Sequence, residues 1–353
     1  MVSTDNKFFV RSILIALIVG LVVNVGIAFF LDFGEILRSF SKVDVLTILV
    51  PFACYFFIYL VDSIRLKLVL TQFGNRISFG DAFFNSVSVV LFSNLTPFAS
   101  GGQPYQVYHL TTVGIDSKKA TNVVLSRHVE FMMTSVVIFL LGVPVAFSIA
   151  GNLRVGREFF FLGFFVSLVF SLVLLLTLVR PDFFGRLLLK IDRTLLGRLI
   201  QRVTKRTNWA EVFHRWSMEL RRDVAFLWSE KLYIMVLDLL LGFVNIVLQA
   251  LSLVFMFYHS ISPDIQVLHF MVAFVILNLV VYYVPTPGGS GGVEGGYVLV
   301  FSGMTGAPGM TAVLILMWRL ATYYLHMGFG LIVFFLKTYG DKQRLARSTV
   351  VGK

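Results

Sequence analysis

Two arginines stand out by position. Arg127 lies within the apolar run 120–150, and Arg319 lies within 311–336. A guanidinium at such a place needs a partner, because an ionised group inside a bilayer is costly unless paired or facing a wet cavity. Its planar fork binds two oxygens of a phosphate or carboxylate at once. Each arginine follows a matching string. Thr96-Pro97-Phe98-Ala99-Ser100-Gly101-Gly102 and Thr286-Pro287-Gly288-Gly289-Ser290-Gly291-Gly292 both read T-P-x-x-S-G-G, offset by 190 positions. Arg127 comes 30 residues after Pro97 and Arg319 comes 32 after Pro287. Glu130 and Glu294 are within reach as fixed ion-pair partners of the two arginines. The alternative is contact with an anionic substrate, and an exchangeable salt bridge combines the two.

Polar stripes accompany these charges. Asn122, Ser126, Glu130 and Thr134 repeat every fourth position. Asp238, Asn245, Gln249 and Ser252 share one helical face, as do Arg319, Thr322, Tyr323 and His326. Such stripes serve helix-to-helix hydrogen bonding or line a polar cavity. His128 and His326 read as satisfied interior histidines. The six histidines are scattered and Cys54 is the sole cysteine, so neither a cysteine metal cluster nor a disulfide within the chain is expected. No nucleophile-and-base pattern, phosphate-binding loop or dinucleotide fingerprint is present, so no enzyme and no cofactor is expected.

The elements that position these groups follow from composition. Of 353 residues, 57% are hydrophobic and 14% charged, against about 25% charged in a soluble domain. That excludes a soluble enzyme and a disordered chain. A spanning helix needs about 20 mostly apolar residues. Six segments meet or approach this: 12–31, 45–61, 120–150, 158–179, 232–258 and 311–336. The first reads as a retained helix rather than a cleaved signal. Two further apolar stretches, 82–95 and 265–284, each run into one of the Gly/Pro strings. With the N-terminus cytoplasmic and both broken stretches re-entrant, segments 1–11, 62–80, 113–119, 180–231 and 337–353 face the cytoplasm and hold 24 of the 30 lysines and arginines. The outer segments hold four: Arg38, Lys42, Arg154 and Arg157. This asymmetry fits the positive-inside rule, and the net charge of +11 points to anionic lipid rather than nucleic acid.

The expected architecture is an all-α polytopic membrane protein with six spanning helices and two re-entrant helical hairpins in an inverted-topology repeat. Repeat 1 covers 1–150, with its hairpin at about 80–113. Repeat 2 covers 151–340, with its hairpin at about 264–305, and 341–353 is a basic cytoplasmic tail. Three crossings per unit invert the second unit relative to the first, a recurrent plan among transporters. Pro ends the incoming helix at each tip, Gly permits close backbone approach, and the returning half-helix aims free N–H groups at the tip. The tips serve packing alone or line a substrate path. Within 181–230, Leu187, Ile191, Leu195, Leu199 and Val203 recur every fourth position, so the insert reads as basic amphipathic helices on the inner leaflet, a connector or a docking element.

Extended to Gln103-Pro104 and to Pro285 and Val293-Glu294-Gly295-Gly296, the two strings resemble the hallmark motifs of a flippase-like family, the membrane domain of lysylphosphatidylglycerol synthetases. Span order matches as well. The PGGxGGxE string is the more specific. Gln103 stands where many members carry Glu, so a symmetric two-carboxylate mechanism does not carry over. Only 17 residues follow Leu336, so the resemblance implies the translocation half without aminoacyl transfer. The expectation is then a lipid translocator in the cell membrane, with both termini cytoplasmic. Arg127 and Arg319 would coordinate the phosphate of an anionic lipid. Glu130 and Glu294 would hold them in the empty state. Gly101, Gly102, Gly291 and Gly292 would allow close approach, and Gln103, Asp238 and Asn245 would line the path. A small-solute or ion transporter on the same scaffold is the alternative, and an integral-membrane enzyme acting on headgroups ranks last.

Overall fold

The computed structural model describes residues 43–152, 229–262, 264–281 and 286–351, with scattered positions between 34 and 41 and between 157 and 226. The expected span 12–31 lies outside the described residues, as do most of the span 158–179 and most of the insert 181–230.

The described elements are helical. They are α1 (Leu46–Gln72), α2 (Phe79–Leu95), α3 (Gly102–Thr112), α4 (Ser117–Asn152), α5 (Leu232–Ser260), α6 (Val267–Val281), α7 (Gly292–Thr305) and α8 (Pro308–Arg319). A π turn at Leu320–Tyr324 then leads into α9 (Leu325–Val351). Three stretches among the described residues are long and apolar enough to cross a membrane: Leu46–Gln72, Leu232–Ser260 and Pro308–Asp341. Their outward faces carry large exposed apolar side chains such as Leu240, Phe243, Ile332, Phe335 and Leu336. In water that surface would be a liability, whereas lipid tails cover it without cost.

Local chemistry sets the element ends. Ser78 caps α2, its hydroxyl accepting from the Asp81 N–H at 3.0 Å. Pro97 pushes Thr96 into an extended conformation, φ −120° and ψ 144°, which stops α2. Pro308 starts α8 at a position where a missing N–H costs nothing, after Gly306 has closed α7 in the left-handed region.

Helices α2 and α3 pack together as one hairpin, and α6 and α7 as another. At about 1.5 Å per residue their arms of 17, 11, 15 and 14 residues are each shorter than the roughly 30 Å of a hydrocarbon core. The tips meet: the backbones of Pro97 and Pro287 run antiparallel, side by side. They also share a conformation. Phe98 and Ala99 take φ of 57° and 51°, and the equivalent Gly288 and Gly289 take 59° and 66°. Two successive left-handed residues are thus built into both copies, although only the second uses glycine for them.

Helices α1 and α5, separated by about the same offset as the tips, run antiparallel. Asp44 meets His259 at one end (2.8 Å) and Arg65 meets Asp238 near the other (2.7 Å). The His259 hydrogen bond holds the exposed Asp44 carboxyl below the usual carboxylate range. The hairpins interlock across the copies, since α2 packs on α9 and α6 packs on α4. Phe257, Phe274, Tyr297, Phe301 and Trp318 form the heart of the larger buried cluster.

The structure corrects the expected end of the second span. The segment starting at residue 62 is not a loop: α1 runs unbroken to Gln72, and Arg65 is only 5% exposed. The apolar run stops at Asp62 because one helical face turns polar, while Leu66, Val69 and Leu70 continue the buried face.

A close approach within the first hairpin yields a test. A Cβ on Gly102 would lie 2.7 Å from the Val89 carbonyl oxygen and would overlap the Ser93 hydroxyl, whereas a Cβ on Gly328 meets nothing within 4 Å. Gly102→Ala should destabilise by roughly 1–3 kcal/mol, read as a lowered thermal midpoint in detergent, and Gly328→Ala should not.

Candidate functional site

The two tips, α1, α4, α5 and the α8–π turn surround one cavity of about 320 Å³. Hairpin one supplies Ser93, Asn94, Ala99, Gln103 and Gln106, and hairpin two supplies Gly288, Gly289, Val293 and Tyr297. Asp62, Arg65, Arg127, Asn245, Gln249, Asn278 and Arg319 also line it. Both sequence-predicted arginines therefore face one space, along with Gln103 and Asn245.

Arg319 is fixed by the second tip. Its Nε donates to Glu294 Oε1 at 2.8 Å, and its Nη2 donates to the Gly288 carbonyl at 3.0 Å and the Ser290 hydroxyl at 3.4 Å. Glu294 is fully buried and also accepts from the Gly291 N–H at 2.7 Å, which closes the first turn of α7. The guanidinium stacks 4.2 Å over the Tyr323 ring, and Tyr323 donates to the Asn94 carbonyl of hairpin one at 3.3 Å. One cation thus ties the second tip to its own helix and, through Tyr323, to the first hairpin.

Arg127 is bound differently. Its Nη2 donates to Asp62 Oδ1 at 3.1 Å and to the Asp62 carbonyl at 3.4 Å, and its buried Nε has no hydrogen-bond acceptor. Glu130, three residues on, is not its partner. The reason is visible in register: adding the offset of 190 to Pro104 gives Glu294, so the first tip has no carboxylate to hold Arg127. The helix α1 supplies Asp62 instead.

Arg65 and Asp62 escaped the sequence reading. Arg65 Nε donates to Asp238 Oδ1 at 2.7 Å, its Nη2 to Asp238 Oδ2 at 3.3 Å, and its Nη1 to Asp62 Oδ1 at 3.1 Å. Glu130 lies 3.8 Å from Arg65 Nη2. Asn245 donates to Asp62 Oδ1 at 2.9 Å. Gly242 leaves room for this, since a Cβ there would sit 3.0 Å from Arg65 Nη2. The opposite charges at positions 62 and 65, one turn apart on a helix whose apolar face continues beyond them, were the signal.

The other predicted residues fall behind the cavity wall. Glu130, Asp238 and Glu294 are buried around it without lining it. Gly101 and Gly102 face the Phe92 and Val89 carbonyls of α2, and the glycines that line the cavity are Gly242, Gly288 and Gly289 rather than Gly101, Gly102, Gly291 or Gly292. Gly291 serves another purpose, its φ of 97° turning the chain into α7. In the polar stripes, Gln249 accepts from Asn278 at 3.3 Å and Ser252 accepts from Trp318 Nε1 at 2.9 Å, so both tie helices together. His326 bonds the Phe52 carbonyl at 3.1 Å and stacks on Phe52, as an interior histidine does. The His128 side chain lies outside the described residues.

Removing Arg65 leaves Asp238 buried without its cation. Arg65→Met should cost about 3–5 kcal/mol, and Arg65→Met with Asp238→Leu should recover much of it, because neutral packing replaces a buried pair at little cost. Thermal denaturation of both variants in detergent checks this.

Comparison with known proteins finds membrane proteins. A membrane protein of Archaeoglobus fulgidus, described as a UPF0104 membrane protein, is 23% identical over 303 residues, covering 83% of this chain and 87% of that one. The family model of the lysylphosphatidylglycerol synthase transmembrane region matches residues 13–330, which include both tips and all three cavity arginines. The chain belongs to the family of the lysylphosphatidylglycerol synthase transmembrane region.

Proposed function

We propose that the protein is a lipid translocase that moves an anionic or aminoacylated phospholipid, or a polyprenyl-phosphate lipid, across the membrane. The observation that carries this reading is the polar cavity at the junction of two broken hairpins, lined by Arg127 and Arg319. The hairpins are re-entrant and approach from opposite faces. Their arms are too short to cross, their tips meet, and the repeat-related α1 and α5 run antiparallel. With six spans and two hairpins both termini lie on one side of the membrane, and the excess of lysine and arginine in the segments on that side supports the cytoplasm.

The headgroup phosphate binds Arg127, whose buried Nε has no acceptor, while the tails remain in lipid. Arg319 already makes three hydrogen bonds, so its role is to hold the second tip until the phosphate competes with Glu294. Movement of the tips apart then passes the headgroup from one side to the other. Transport of a small anionic solute is the second reading. The cavity volume of about 320 Å³ suits it as well, since a headgroup or a free anion fits equally. Lipid passage requires a lateral opening between helices, and solute passage does not.

Liposomes carrying the protein and labelled anionic lipid provide the test, with a membrane-impermeant quencher reporting the outer leaflet. Loss of leaflet asymmetry should be faster than in empty liposomes. Arg127→Ala should slow it by about 10- to 100-fold, the worth of a charge-assisted hydrogen bond, and Arg127→Lys should restore only part. Wild-type rates in Arg127→Ala would sink the assignment.

A further inference from the structure

The charges around Arg65 do not balance. From α1 come Asp62 and Arg65, from α4 Arg127 and Glu130, and from α5 Asp238. Fully ionised, this cluster, of which only Asp62 is partly exposed, carries three negative charges against two positive. Among the described residues the remaining packed helices add no net positive charge: on α8, Arg319 is neutralised by Glu294 of α7. On α3, His109 is turned to Asn85 of α2, and on α6, Asn278 is turned to Gln249. Asp62 and Asp238 are each fastened to arginine at 3.1 Å or less. Glu130 is not: it is 1% exposed, no N–H or hydroxyl donor reaches either carboxyl oxygen, its polar neighbour is the Asp238 carboxylate, and its closest cation among the described residues is 3.8 Å away. One turn earlier on the same face, the hydroxyl of Ser126, 2% exposed, also lacks a partner. A bare carboxylate in such surroundings is far more costly than a neutral carboxylic acid.

We infer that Glu130 is a proton-binding site, and that its proton is coupled to the occupancy of Arg127 by an anion. The proton makes the empty cluster neutral. The coupling rests on the anion-binding function proposed above, whereas the proton site does not. With Glu130 ionised, an incoming anion meets a cluster already negative by one, so the anion and the proton bind together. Anion binding thus favours the protonated form. Affinity is full at low pH and falls as pH rises through the titration of Glu130, by up to about tenfold per unit for one linked proton. A proton gradient can then drive an anionic headgroup in the direction in which the proton moves. Sodium is a poorer occupant, because Arg65 lies against the carboxylate and repels a second full cation.

The test uses the full chain in phosphatidylcholine nanodiscs. Infrared difference spectra between about pH 5 and about pH 9 report the carbonyl stretch of a protonated carboxylic acid. The wild type should show this band, Glu130→Gln should lose it and Glu130→Asp should regain it. Calorimetric titration with dioctanoyl phosphatidylglycerol, in buffers of different ionisation enthalpy, then counts protons taken up per lipid. The wild type should take up as much as one and Glu130→Gln close to none, with its pH dependence flattened. A band that persists in Glu130→Gln, or that is absent from the wild type while sodium alters lipid binding, overturns the proton site. Equal proton uptake in wild type and Glu130→Gln overturns the coupling. A Glu130 band with no lipid binding at any pH leaves the proton site standing, and refutes the coupling together with the anionic-lipid reading.

Discussion

A charge between membrane helices must be neutralised where it sits, because neither water nor mobile ions reach it at low cost. This constraint organises the molecule. Arg319 needs Glu294, and Glu294 is positioned by the turn that starts α7, so satisfying one cation fixes the conformation of the second tip. Arg65 needs Asp238, which locks α1 against α5. Arg127 needs Asp62, which joins α4 to α1. The polar bonds thus run between elements that lipid alone would not hold in register. The apolar clusters fill the space between them.

The two copies solve the same problem unequally. At the second tip glycine occupies both left-handed positions and a carboxylate follows, so its arginine is held by four groups, counting the Tyr323 ring. At the first tip Phe98 and Ala99 occupy those positions and Pro104 replaces the carboxylate, so the tip closes on itself through Thr96 and Ser100. Its arginine turns away to α1. A repeat with one arm clamped and the other held by its own turn has a built-in difference between its halves. That difference leaves Arg127, which lines the cavity, with a buried donor that no group accepts from.

Much of this was legible in the sequence. The offset of 190 located both tips, the apolar runs gave the described helices, and Arg127, Arg319 and Glu294 were picked out by type and spacing. Asp62 and Arg65 were not, because a hydropathy reading ends a span at the first charges, and only the buried face beyond them shows that α1 continues. Glu130 was assigned to Arg127 by proximity along one helix. In the folded chain the side chain of a residue on another helix is closer, and sequence spacing carries no information about that. The glycines at the tips misled for a similar reason: the string shows that backbones approach closely but not which ones, and Gly102 meets its own hairpin rather than the cavity.

The central claim is that the two tips must part for a headgroup to pass. Pro97 and Pro287 are neighbours across an antiparallel bridge, where Cα atoms stand about 4.5–5.5 Å apart, within disulfide reach. The most direct measurement is lipid movement in liposomes by Pro97→Cys/Pro287→Cys in a Cys54→Ser background, before and after reduction. The account predicts that the oxidised protein is inactive and that reductant restores movement. Undiminished movement by protein shown to be fully cross-linked would contradict it.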